Sequence, residues 1–259
     1  MLKLPEFKTK KELFDFLVEN KESLIAQKCS AIKEADGFGC QTILVRDGLV
    51  GKAAPSIIDA EEIRVKVVIN TTNIMDSHDD VHIKGLWNKS LKENKRIMHV
   101  QEHKSNQFDK IISSGEDLKA FVKDMSWKDL GYNAEGDSEA LIFDSLIKRS
   151  RNEYMLNQYK SGYVSNHSVG MQYVKLDIAI NDKEYEKEMD FFNKYIETIV
   201  NKQKAIDKGY FWVVTEAKAI EGSAVPNGSN PVTPTIYIED KQEIYNPKEL
   251  AIKHFLGLK

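Results

Sequence analysis

The sequence predicts an α+β fold that is mainly β. Two observations carry this. Ile63–Ile69 and Tyr173–Ile180 alternate apolar with polar side chains, and Phe211–Ile220 is dense in β-branched and aromatic residues, which are strand signatures. Around them, stretches near residues 9–28, 138–159 and 184–208 carry apolar residues at helical spacing. The chain has 259 residues, 41% apolar and 30% charged, enough for one large domain with helical additions and against global disorder. The net charge of −3 argues against a nucleic-acid partner, which usually demands a basic excess. No apolar run approaches the roughly 18 residues of a membrane span, and Met1–Pro5 lacks a signal core. Two cysteines, Cys29 and Cys40, make no disulfide framework and fit a reducing compartment.

Taken in order, Leu13, Phe14, Phe16, Leu17, Leu24 and Ile25 predict an amphipathic helix over about 9–28. Gln41–Val45 reads as a short strand, and Gly48–Pro55 as a loop that bounds the N-terminal extension. The strand at Ile63–Ile69 is followed by a polar loop, Asp76–His82, and a short helix near Leu86–Leu91. Ile97–Val100 predicts a strand that runs into His103, and residues 117–129 predict more strand and loop. Ser138 is a candidate cap for a helix reaching Tyr159, with Ala140, Phe143, Ile147 and Tyr154 on one face and Gly162 as its stop. A strand opens at Ser168 and continues through Ile180. The helix of about 184–208 comes next, then the strand that ends at Glu221. A turn-rich loop fills Pro226–Pro234, and Asn246-Pro247 starts a short C-terminal helix.

Five of the 6 histidines fall between positions 78 and 167, which concentrates the groups best suited to act as a base near neutral pH. Ser168 opens one strand, His103 follows a second and Glu221 closes a third. A hydroxyl, an imidazole and a carboxylate on rigid element ends are what nucleophilic acyl transfer requires. Such a trio can be drawn from almost any sequence, so plainer roles stand beside it: a surface histidine, a strand-start hydroxyl, a solvated carboxylate. His167, next to Ser168, points to the other face of its strand and reads as structural. A rival constellation is metallic. His78, Asp79, Asp80 and His82 form a ligand-rich loop, and His99 and His103 have i, i+4 spacing. That pair reads better as strand, where i and i+4 lie about 13 Å apart.

Four segments, in this order, resemble the prohead serine proteases of tailed phages, a family within the herpesvirus-assemblin-like superfamily. They are Asp76-Ser77-His78-Asp79-Asp80-Val81 with Gly85 and Trp87; the strand Ile97–Gln101 ending towards His103; Gly162 with Ser168-Val169-Gly170-Met171; and Glu221-Gly222-Ser223-Ala224-Val225 before Pro226-Asn227. The resemblance spans about residues 63–232. It departs from the family pattern at Lys104, where an aspartate is usual, at Ile111-Ile112, and in the helical insertion of about 184–208.

The resemblance implies a herpesvirus-protease-like β-barrel wrapped by helices. It divides the chain into an N-terminal helical extension (1–60), a protease domain (61–235) and a C-terminal tail (236–259). It implies a serine endopeptidase with Ser168 as nucleophile, His103 as general base and Glu221 as third member; His78, His82 and His99 remain candidates for that third role. No cofactor is expected. Implied substrates are the major capsid protein and the scaffold, and the protease itself. The implied setting is a homo-oligomer inside the procapsid, in the host cytoplasm, with neither nucleic acid nor membrane as partner. Two other functions stay open: a metal-dependent hydrolase built on His78, His82, His99 and His103, and a non-catalytic shell component of the same fold.

Overall fold

A computed structural model of the chain describes residues 4–33, 60–94 and 96–239. Two sheets pack face to face. The first has six strands and the second four. The expected closed barrel is not found among the described residues; the fold is α+β with more strand than helix. The expected strand at 41–45, the loop at 48–55 and the C-terminal helix lie outside the described residues.

The first sheet is built on its longest strand, β9 (Tyr210–Ala224). One edge of β9 pairs antiparallel with β8 (His167–Ile180) along nearly its whole length. The other edge is shared by two short parallel strands, β3 (Asp80–His82) and β4 (Met98–Gln101), placed end to end. Between them the backbone of β9 finds other partners. Leu86 O accepts from Ala217 N, Ser90 Oγ accepts from Ala219 N, and Asn94 Nδ2 donates to Ala219 O. The last two come from helix α3 (Asn88–Glu93) and the residue after it. Unpaired buried backbone groups are costly, so these bonds hold the helix against the gap. β5 (Ile111–Ser114) extends the sheet beyond β4, and β1 (Ile32–Lys33) beyond β8.

The second sheet runs β10 (Thr235–Glu239), β2 (Glu62–Thr71), β7 (Asp137–Lys148), β6 (Leu118–Ser126), all antiparallel. Here the sequence expectation fails: residues 138–148 are strand, and the helix α4 covers only Arg149–Lys160. The cause is burial on both faces. Leu141, Phe143 and Ile147 enter the main core between the sheets, while Ala140 and Ile142 enter a second cluster with Trp127 and Leu130. A strand apolar on both faces loses its period of two, and Ala140, Phe143 and Ile147 then mimic helical spacing.

The sheets approach closely at Gly222, where a Cβ would lie 2.4 Å from the Phe143 ring. The N-terminal stretch is two helices, α1 (Lys10–Glu19) and α2 (Lys21–Ser30), rather than one. They bury Phe14, Leu17 and Leu24 in the main core. The insertion is likewise divided, into α5 (Glu186–Tyr195), a 3-10 turn and α6 (Lys202–Lys208). It covers the far end of the β8–β9 pair by packing Phe192, Ile196, Ile199 and Ala205 on Ala179, Phe211 and Val213.

Candidate active site

Side chains opposite one another in an antiparallel pair share a face. On β8, His167, Val169 and Met171 point into the core or its edge; Ser168 and Gly170 therefore point the other way. On β9, Ala217 and Ala219 are core residues, and simple alternation would send Glu221 inward with them. It does not go inward, because the strand carries an extra residue. Gly170 is in register with Glu221, but Met171 is in register with Ala219, so Ile220 is bulged out. A bulge of this kind re-aims the side chain that follows it. Glu221 and Ser223 thereby join Ser168 and Gly170 on one face, and Gly222 and Ala224 return to the core. Glu221 lies three residues inside its strand rather than at its end.

Gly170 makes room for the carboxylate. A Cβ there would lie 2.1 Å from Glu221 Oε1. The same oxygen is 2.6 Å from His103 Nδ1. His103 reaches this position through a tight turn after β4. Lys104 N donates to Gln101 O at 3.0 Å, and the two central residues, Glu102 and His103, have φ of +50° and +57°. That is a type I′ turn built without glycine, a conformation that costs on the order of 1 kcal/mol or more per residue and is found preferentially at functional sites. Two bonds hold it. Glu102 N donates to Ala224 O at 3.0 Å, and His103 N donates to Ser223 Oγ at 2.8 Å. Ser223 Oγ in turn donates to Val100 O at 3.2 Å. Ser168 is the cross-strand partner of Ser223, which puts their Cβ atoms about 5 Å apart.

His103 and Glu221 are thus brought into contact, and Ser168 lies on the same face of the β8–β9 pair; no hydrogen bond joins Ser168 Oγ to His103 Nε2 among the described residues. With Nδ1 engaged by a carboxylate, proton exchange with an alcohol falls to Nε2 of His103. All three side chains are shielded: His103 is 7% and Glu221 4% exposed, and Ser168 3%. Lys104, at the departure from the family pattern, pairs with Glu102 at 2.6 Å rather than with the histidine.

The four histidines of the metallic alternative do not assemble. His82 bonds Asn70 at 2.9 Å and Tyr173 at 3.4 Å, and His99 bonds Ser145 at 2.9 Å and Tyr159 at 3.1 Å. Ligand atoms of Asp76, His78 and Asp80 do lie within 4.8 Å of one another. Their carboxylates have other work. Asp76 Oδ1 accepts from His78 N and Asp80 N, while Asp80 accepts from Tyr173 Oη at 2.6 Å and from Lys28 Nζ at 2.5 Å. The cluster closes a loop and anchors helix α2.

Sequence reasoning missed a second polar array, centred on Tyr159. His167, expected to be structural, belongs to it and lies in the core on the face opposite Ser168. The only signal in the sequence is a polar residue, His99, inside an apolar strand. No protein-family model, curated protein or solved structure matches the chain. No helix among the described residues is long and apolar enough to cross a membrane.

Proposed function

We propose that the chain is a serine endopeptidase working by acyl transfer, of the class that matures phage proheads. The observation that carries this reading is the 2.6 Å contact between His103 Nδ1 and Glu221 Oε1 on the face that also bears Ser168. Ser168 Oγ attacks the scissile carbonyl while His103 Nε2 takes its proton. Glu221 keeps the proton of the ring on Nδ1 and stabilises the imidazolium as it forms. His103 then protonates the leaving amine, and water releases the acyl group by the reverse sequence. The two packed sheets with helices around them are compatible with a herpesvirus-protease-like architecture. The ordered segments shared with prohead proteases support capsid protein and scaffold as substrates, self-association as the active form, and the procapsid as the place of action.

A second reading, a non-catalytic shell component of the same fold, is favoured by the 3% exposure of Ser168. Co-expression with a capsid protein and scaffold, together with labelling by a fluorophosphonate, separates the two. The protease reading expects cleavage and labelling in the wild type and loss of both in Ser168→Ala and in His103→Ala, with folding intact. Processing that is unchanged in Ser168→Ala overturns it.

A further inference from the structure

Six buried polar groups form one continuous hydrogen-bonded chain through the core. It runs Ser113 Oγ, Ser145 Oγ, His99 Nδ1 and Nε2, Tyr159 Oη, His167 Nε2 and Nδ1, and the Thr233 carbonyl. Successive contacts are 2.6, 2.9, 3.1, 2.9 and 2.9 Å. None of the six residues is more than 2% exposed. They come from β5, β7, β4, α4, β8 and the segment leading into β10, so the chain ties both sheets and a helix together.

Its direction follows from one end. A carbonyl only accepts, so His167 Nδ1 carries the hydrogen. A neutral imidazole has a single N–H, so His167 Nε2 accepts and Tyr159 donates to it. Tyr159 has spent its only hydrogen and must accept from His99 Nε2–H. His99 Nδ1 then accepts from Ser145, and Ser145 accepts from Ser113. Both rings are neutral, as burial demands: desolvation pushes His167 down to about 4, and desolvation followed by the neighbouring His167 pushes His99 well below 6.5. Every polar atom along the chain has a partner, and the two histidines are opposite tautomers.

An apolar core of similar shape would be about as stable as a satisfied polar chain, so stability alone does not account for it. Its location does more. His99 lies on β4, which ends in the turn that carries His103, and His167 immediately precedes Ser168. We propose that Tyr159 is a positioning residue whose hydroxyl locks β4 to β8 through His99 and His167, and so sets the spacing between His103 and Ser168. This inference rests on the acyl-transfer reading.

The test has two readouts. Two-bond nitrogen–proton NMR of histidine-labelled protein at neutral pH should find His99 as the Nε2–H tautomer and His167 as the Nδ1–H tautomer; the same tautomer at both overturns the chain. Fluorophosphonate labelling, in which Ser168 Oγ bonds phosphorus and fluoride leaves, should slow by roughly tenfold to a hundredfold in Tyr159→Phe, which removes only the hydroxyl. Ser145→Ala, which frees the His99 tautomer from the far side, should slow it in the same direction and stands in if Tyr159→Phe does not fold. Labelling at the wild-type rate in a folded variant overturns the positioning role while leaving the triad intact. A wild type that takes no label removes the triad reading and the positioning role together, and the tautomers are then read on their own.

Discussion

At the scale of single residues, Gly170 is the position on which the site geometry turns. Its hydrogen lies where any side chain would strike Glu221 Oε1. A Cβ there overlaps the Glu221 side chain from the carboxylate back to Cγ, so Gly170→Ala should push the carboxylate off His103 Nδ1. The expected result is a loss of fluorophosphonate labelling of about a hundredfold or more, in line with losing the group that orients a catalytic imidazole. A folded Gly170→Ala protein that labels at the wild-type rate would show that Glu221 does not serve His103. Ser223 is a residue whose part could not be read from sequence. Its neighbours suggest a small strand residue, yet it accepts from His103 N and donates to Val100 O, clamping a turn with two left-handed residues.

At the scale of elements, the N-terminal helices are integral to the domain rather than an appendage. Lys28 of α2 lies 2.5 Å from Asp80, whose side chain is fully buried, and 5.0 Å from the Trp212 ring centre. Tyr173 Oη donates to the same carboxylate, and its own hydroxyl is kept protonated far above its ordinary range by burial and by Asp80. Removing the cation would break the buried Lys28–Asp80 ion pair, a change that typically costs about 3–5 kcal/mol. Lys28→Met should therefore lower the urea midpoint strongly, whereas Lys84→Met, which breaks an exposed pair with Asp124, should barely move it. Equal midpoints for the two variants would mean that α2 is held by its apolar face alone. The element that sequence reasoning misassigned, β7, shows where pattern reading stops. Its two faces enter two different apolar clusters, so nothing in its period marks it as strand. β2 and β8, with a polar side chain at every second position for part of their length, were legible for the opposite reason.

At the scale of the whole molecule, the polar chain through the core makes stability depend on pH. His167 falls to about 4 when folded, against 6.5 ordinarily, and His99 is shifted the same way. The groups that face them are Tyr159, His99 and His167 themselves, Ser145 and the Thr233 carbonyl, none of them charged. Between the two values the unfolded chain binds protons that the folded protein does not. The contribution of the two rings is therefore complete above 6.5 and declines as pH falls towards 4, by up to about 1.4 kcal/mol per pH unit for His167, with His99 acting in the same direction. Urea titrations should give a lower midpoint at about pH 5 than at about pH 7. A midpoint that stays level across that interval would mean that these rings are not buried neutral.

Sequence alone determined the elements whose residues answer to local rules: the half-buried strands, the helical character of the stretches near 9–28 and 184–208, and the three residue types that acyl transfer needs. It also placed Ser168, His103 and Glu221 on strands or just after one, because Tyr173–Ile180 alternates and Phe211–Ile220 is dense in β-branched and aromatic residues. Only the tertiary structure decided which faces met. A single bulged residue, Ile220, reverses the alternation of β9 and turns Glu221 towards Gly170 and His103 instead of into the core. Ladder pairing between distant strands sets that register, and no property of residues 217–221 taken alone encodes it. The directional chain through Tyr159 is of the same kind, since its members are scattered from His99 to Thr233 and acquire donors and acceptors only where two sheets and a helix close around them.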